Sequence, residues 1–590
     1  MDEEIVTFLK RYNLRKRVIS FIKKYEWTIL IFSTVACWLL GFYGFTIYFE
    51  RTGESESFTD IAYLTFQLFT FGSGYVEGEV PLVLDIVRFL APFTLVYAAV
   101  IAFMWFIRHL YKLAVLRRYK DHTVFLGLGD LGRLLLRDLQ HSGEKLVVVT
   151  KEEINPSERL LHPNTVFITK THDEHDLLKQ VRAKYAKRIM CMADGDEENL
   201  STGFMAGEFI NSMQLKEKPK IFVQASMLLV EQLQELDFEN KASNNTPIIY
   251  DNIQFFNVYE RAARNLVHTY SPDKFKSFTN SEDQAHILIA GFNKLGQALL
   301  LQAAKLYHFT NRKKLRATVF YQPEEEKGKM GFIANYPGIE EVVDLKFYEL
   351  GRVNDRNVVG FTGDSGIQVI YICGNNDFDS LKIFNKTNML IRNETRVVFC
   401  HQASKSVLSR LKRENIHHYF INEETLRVSS IIKNDMEEQA VKIHQLYMVK
   451  EKEKGQSAQL KALKQLTHKE WDKLTEQTKN QNRNQTEHIA IKLRTAGYKA
   501  VPSDDDEILS SFPDDEDMLE LLAEMEHRRW NAEMLLNGWI YGEVRNEALK
   551  IHDNIIPYSK LEDPIKKYDR EAVQNIPLIL ASVGLKVVPA

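Results

Sequence analysis

The chain has 590 residues, 76 Lys and Arg against 79 Asp and Glu, and a net charge of −3. That length predicts several domains, and the balanced charge gives no sign of a nucleic-acid partner. Cys37, Cys191, Cys373 and Cys400 show no C-x-x-C spacing, and the last three fall in apolar strand-like runs, which points to reduced, buried cytosolic thiols.

Residues 27–49 are uncharged and apolar, longer than the roughly 20 residues needed to cross a bilayer. A second run, 81–107, carries Asp85 and Arg88 near one end and Pro92 within it, a plausible kink. Arg11, Arg15, Lys16, Arg17, Lys23 and Lys24 precede the first run, and Arg108, Lys112, Arg117, Arg118 and Lys120 follow the second. The loop between holds Glu50, Glu54, Glu56, Asp60, Glu77 and Glu79 against Arg51 alone. Positive-inside bias then places the chain in the cell (plasma or inner) membrane with both termini cytoplasmic. An acidic outer mouth would concentrate cations.

Between the two runs an amphipathic stretch, 58–69, leads into Thr70-Phe71-Gly72-Ser73-Gly74. Non-helical backbone at membrane depth is tolerated where it lines water or is buried in protein, and carbonyls freed there can replace an ion's hydration shell. Over residues 25–120 the chain resembles the two-transmembrane potassium-channel family, whose filter reads T-V-G-Y-G. Phe71 and Ser73 depart from that pattern, and the missing tyrosine puts potassium selectivity in question. The resemblance implies a homotetramer in the lipid bilayer conducting a monovalent cation such as K+. The alternative is a plain two-helix anchor with a glycine-rich loop.

A short strand at 122–127 runs into Gly127-Leu128-Gly129-Asp130-Leu131-Gly132 and then a helical pattern. Strand, G-x-G-x-x-G and helix in that order give the dinucleotide fingerprint its context. The expected nucleotide-binding residues are Gly127, Gly129, Asp130, Leu131 and Gly132. Thr150 ends the second strand where an acid should hold the ribose, with Glu152 two residues on. Further strands at 165–169, 188–193 and 220–225 complete a doubly wound sheet. Following a pore helix, this resembles the regulator-of-potassium-conductance (TrkA-N-like) family, which implies NAD(H) or another adenine nucleotide as ligand. Glycines kept only for packing are the open alternative.

The theme repeats at 286–290 with Gly291-Phe292-Asn293-Lys294-Leu295-Gly296, where Asn293 replaces the middle glycine. Strands at 315–321, 367–373 and 395–400 predict a second Rossmann-like sheet retaining the fold without the ligand. An amphipathic helix at 255–268 lies between the copies. After a helix at 436–448, a Lys/Glu/Gln-rich stretch reads as a solvated loop, and helical patterning resumes from Trp471 to Leu493. The last segment contains Glu526-His527-Arg528-Arg529-Trp530, Gly538-Trp539-Ile540-Tyr541-Gly542, His552, Pro557-Tyr558 and Asp569-Arg570. It resembles the ryanodine receptor repeat (RyR), in which tryptophans can stack a nucleotide base. Trp530, Trp539, Tyr541, His552, Tyr558 and Arg570 are the implied ligand residues, with the two tryptophans on opposite sides of one helix. Both tryptophans as core is the other reading.

The expected fold class is an α-helical two-transmembrane pore domain, two α/β Rossmann-like doubly wound domains and a mainly α-helical C-terminal domain. The boundaries are 1–24 cytoplasmic segment, 25–118 pore, 119–275 and 276–435 regulator domains, 436–517 helical linker and 518–590 RyR domain. The expected function is a cation channel gated by a small nucleotide. The rivals are a non-conducting membrane-anchored nucleotide sensor and a membrane-anchored NAD-dependent enzyme. No catalytic residue and no metal site are expected, because no proton-transfer constellation accompanies the glycine turn.

Overall fold

The computed structural model describes residues 26–590, apart from 73–75, 77, 152–164, 170–173, 243–248, 280–281, 354–365, 403–405, 427–434, 451–452, 467–470, 472–473, 504–507 and 509–511. The chain divides into two compact units, residues 1–124 with 145–187, and residues 125–144 with 188–590.

In the first unit, α1 (Glu26–Thr52) and α3 (Leu82–Arg117) flank a short helix, α2 (Phe58–Leu68). Both long helices contain a stretch long and apolar enough to cross a membrane. Their exposed faces carry Phe32, Leu39, Phe89 and Phe93. The inner faces meet closely because α1 has glycines there: a Cβ at Gly44 would lie 2.9 Å from the Leu84 Cβ. α2 starts at the Ser57 cap, whose hydroxyl accepts the Asp60 N–H at 3.2 Å. It buries Ile61, Thr65 and Leu68, spaced four and three apart along one face, against a core containing Phe45, Tyr48, Leu84 and Val87.

Two six-stranded sheets follow. The first runs β3-β2-β1-β4-β5-β6, with β1 (His122–Leu126), β2 (Leu146–Thr150), β3 (Thr165–Thr169), β4 (Ala186–Cys191), β5 (Lys220–Gln224) and β6 (Ile253–Phe256). The second runs β12-β11-β10-β7-β8-β9, with β7 (His286–Ala290), β8 (Leu315–Tyr321), β9 (Val343–Glu349), β10 (Val369–Ile372), β11 (Arg396–His401) and β12 (Ile416–Phe420). All its pairs are parallel, and β7 and β10 are buried along their whole length. Continuous apolar runs suit strands covered on both faces. Strand order reverses beside β1 in the first sheet and beside β7 in the second, which defines each switch point. The helix α4 (Asp130–His141) follows β1, and α8 (Lys294–Leu306) follows β7.

Three local expectations are corrected. Phe255 belongs to β6, and the helix between the copies, α7, is Val258–Thr269, started by the Asn257 side chain accepting two N–H groups. The stretch read as a solvated loop contains a helix, Gln456–Gln465, that buries Leu460 and Leu463. The third is the helical pattern read from Trp471 to Leu493, whose helix α11 is Glu476–Thr495; it is polar along most of its length and buries Asn480, Asn484, Glu487, His488 and Lys492. Its partners are polar groups on neighbouring helices. Arg264 of α7 donates to Glu487 at 2.6 Å and to Asn484 at 3.0 Å, and Gln302 of α8 donates to Glu487 at 2.5 Å. Lys492 contacts Glu526 at 2.5 Å on α12 (Glu516–Leu536), and Arg529 pairs with both Glu526 and Glu533. Beyond α11, β13 (Tyr498–Pro502) pairs antiparallel with the last strand, β16 (Leu585–Pro589).

Candidate functional site

At the end of α2 the Gln67 carbonyl accepts the N–H of Thr70 at 3.0 Å and of Gly72 at 2.9 Å, while the Phe71 N–H reaches Leu68 O at 3.4 Å. The Thr70 hydroxyl adds a third bond to Gln67 O at 3.0 Å. This is a Schellman closure, with Phe71 in the left-handed region at φ 60° where glycine is the usual occupant. Gly72 is packed tightly, since a Cβ there would lie 3.1 Å from both Cβ and O of Gln67. The expected filter residues Ser73 and Gly74 lie outside the described residues, as does Glu152.

In the second unit both switch points open into one cleft of about 800 Å³. Asp130, Arg133, Arg137, Asp194 and Asp196 line it from the first sheet's side, and Lys294, Asn376, Asp377, His401 and Asn422 from the second's. Arg137 and Lys294 are exposed and have no partner among the described residues. A smaller cavity of about 220 Å³ shares Asp196, Gln224, Tyr259 and Lys294 and adds Glu260. Burial pushes the Glu260 carboxyl up to about 7.

The three glycines of the first turn all pack against the chain just after β4. A Cβ at Gly127 would lie 2.8 Å from the Ala193 Cβ, one at Gly132 2.9 Å from Met192 O, and one at Gly129 2.3 Å from Asp194 Oδ1. Asn199 fixes that segment by accepting the Ala193 N–H at 2.7 Å and donating back to Ala193 O at 2.9 Å. Asp194 Oδ1 accepts the Asp130 N–H at 2.9 Å. The space that a middle glycine leaves for a diphosphate is therefore filled by a carboxylate. The strand–turn–helix order is that of a dinucleotide site, with an anion where the diphosphate would lie. In the second copy the Asn293 side chain fills the equivalent place, accepting from Leu295 and Gly296 and donating to Cys373 O at 2.8 Å. Gly291, at φ 101°, approaches Cys373 O too closely for any Cβ, which would lie 2.3 Å away.

On the far wall, His418 Nε2 lies 3.0 Å from Leu411 O, and His418 Nδ1 lies 2.9 Å from His401 Nε2. The carbonyl needs a donor, so His401 carries its proton on Nε2 and presents Nδ1 as an acceptor, 3.9 Å from Asp377. Burial, then the neighbouring His418, push His401 down to about 4, so the ring is neutral at pH 7.

The C-terminal residues fall into two groups. α12 ends at Leu536 and Gly538 turns the chain at φ 81°, so Trp539 is not on the helix of Trp530. Instead of lying on opposite sides, both rings meet His552, with centroids at 5.1 Å and 6.0 Å. His527 stacks beneath Trp530 at 5.6 Å. The His552 ring thus occupies the space between the tryptophans. It accepts the Asn554 N–H on Nδ1 at 3.0 Å, and burial, then Arg545, lower its pKa. Tyr541 and Tyr558 belong to a different cavity of about 480 Å³, lined also by Arg312, Glu524 and Arg528. Arg570 is held by Glu520 and by Asp563, and the Tyr558 hydroxyl donates to Glu520 at 2.9 Å.

Sequence reading missed Asp194, Arg137 and Lys294. The run Ala193-Asp194-Gly195-Asp196 directly after a strand was the available signal, since an acid there faces the glycine turn across a switch point.

Residues 508–589 match the family model of the RyR domain. Among solved structures, the chain is similar to the "GsuK Channel" at 14% identity and TM-score 0.37, covering 70% of this chain and 98% of that one. It is similar to "GsuK bound to ADP" at 15% identity and TM-score 0.34, covering 70% and 97%. For "GsuK channel bound to NAD" the values are 12% and 0.36, covering 70% and 85%. At such TM-scores the overlay is loose.

Proposed function

We propose that this chain is one subunit of a ligand-gated cation channel. The observation that carries the reading is α2, an 11-residue helix seated on the inner faces of two membrane-length helices and closed at Thr70-Phe71-Gly72. A plain anchor has no use for it. The negative end of α2 points along the chain toward that closure, an arrangement that favours cations. In this proposal Thr70, Phe71 and Gly72 stand at the constriction, Ser73 and Gly74 follow them in the sequence as the expected remainder of the filter, and four copies enclose the axis.

The gating ligand is a small nucleotide-type anion, and its site is the cleft shared by the two sheets, where Arg137 and Lys294 are cations without a partner among the described residues. Ligand opens the pore by binding the open arrangement more tightly, and a tenfold shift needs about 1.4 kcal/mol of differential affinity. The C-terminal helices brace the same sheets through α11.

Planar-bilayer recording of the purified chain tests this. We expect cation current that Gly72→Ala abolishes while assembly, read by native mass spectrometry, is kept. Undiminished current in that variant would refute the pore.

A further inference from the structure

The cleft walls differ in a way that bears on where a phosphate can sit. On the first sheet's side, the backbone donor that opens the helix after the glycine turn, the Asp130 N–H, is already taken by Asp194 Oδ1 at 2.9 Å. The carboxylate fills the room beside Gly129 so fully that a Cβ there would be 2.3 Å from it. The backbone that carries Asp194 is held in place, because Asn199 clamps the preceding residue on both its N–H and its carbonyl. A phosphate approaching the turn would compete with this carboxylate for the Asp130 N–H, and like charges at such range repel strongly in a partly enclosed site. Arg137 and Lys294 line the same cleft, on α4 and at the start of α8, and each is free of partners among the described residues.

We propose that Asp194 is the specificity-determining residue of this cleft: it bars phosphate from the glycine turn of the first sheet and directs the ligand's phosphates to Arg137 and Lys294. The turn then receives the uncharged part of a nucleotide. This rests on the nucleotide reading of the cleft.

The test is calorimetry on the full chain in detergent micelles, with ADP and adenosine as probes. Asp194→Asn keeps an oxygen to accept the Asp130 N–H and removes the charge. ADP should bind about tenfold more tightly to it, equivalent to about 1.4 kcal/mol, with adenosine unchanged. Lys294→Ala should weaken ADP about tenfold in the native chain and by much less in the Asp194→Asn background, because the phosphate then has a second seat. Equal ADP affinity in native and Asp194→Asn chains, with Lys294→Ala still weakening it, would overturn the specificity role of Asp194 and leave the nucleotide site standing. So would strict additivity of the two substitutions. Absence of both ADP and adenosine binding in every chain would overturn the cleft as a nucleotide site, and this inference with it. If Asp194→Asn melts early, Asp194→Ser provides the same comparison, and an unchanged ADP affinity there also refutes the proposal.

Discussion

Single residues in this chain are set by what surrounds them more than by their type. Trp539 is half-buried with an indole N–H that finds no acceptor among the described residues, and leaving such a donor unmet costs about 1–3 kcal/mol. Trp539→Phe keeps an aromatic ring, though a smaller one, and removes the donor, so thermal melting should show equal or higher stability. Trp530, stacked on His527 and edge-on to His552, should behave as packing. Its loss to Ala should lower stability by up to about 3 kcal/mol and leave the ligand dose response unchanged. A shifted dose response in Trp530→Ala would return the base-stacking role to it. Glu260 offers a pH test. Its folded pKa, about 7, lies above the ordinary carboxylate value, so the folded state holds the proton more tightly than the unfolded chain does. Stability therefore falls as pH rises from about 4.5 to 7. Glu260→Gln should raise the melting temperature at pH 8 and change little at pH 4. The glycine turn was legible as a strand–turn–helix from residue spacing alone. Asp194 was not, because its partner is 64 residues away and no periodicity joins them.

At the level of elements, α11 was legible as a helix, while its burial was not. Asn480, Asn484, Glu487 and Lys492 look like a solvated face, and polarity by itself does not say whether the partners are water or protein. Here they are protein: Arg483 reaches Glu437 at 2.6 Å and Glu476 at 2.9 Å. Burial would raise Glu526, but Arg529 and Lys492 pull its carboxyl well below the usual range. Breaking such a pair leaves uncompensated charge inside, at about 3–5 kcal/mol. Glu526→Leu should destabilise the chain by that order, and the double variant with Lys492→Met should cost less than the sum of the two singles. Additive losses in a denaturation series would show that the groups do not act as one network. The apolar elements were easier to read. β10 and residues 27–49 of α1 are uninterrupted apolar runs, and their environment follows from composition. The strands β9 and β12 escaped notice because β9 alternates partly polar residues and β12 carries His417 and His418.

For the whole molecule, the layout of apolar helices, two parallel sheets and a helical C-terminal part was recoverable from the chain order of its motifs. The shared cleft was not, because it is formed by two switch points more than 160 residues apart in sequence, and only the folded arrangement brings them together. One pore loop cannot surround an ion, so native mass spectrometry should report four copies. A purified species that remains monomeric while conducting would contradict the proposed assembly. Ligand bound in each copy's cleft would then act on a shared axis, with dose–response steepness set by how many clefts must fill.

The pairing of β13 with β16 has a practical consequence for portability. The final strand, Leu585–Pro589, takes its neighbour from Tyr498–Pro502, in register from Tyr498 opposite Pro589 to Pro502 opposite Leu585. The family match begins later, at 508. A fragment cut at that boundary would expose one side of β16 as an unpaired edge beside Val587, and bare edges recruit other chains. Transplanting this C-terminal part onto another protein should therefore yield soluble material only when the cut is made before residue 476, carrying α11 and β13 along.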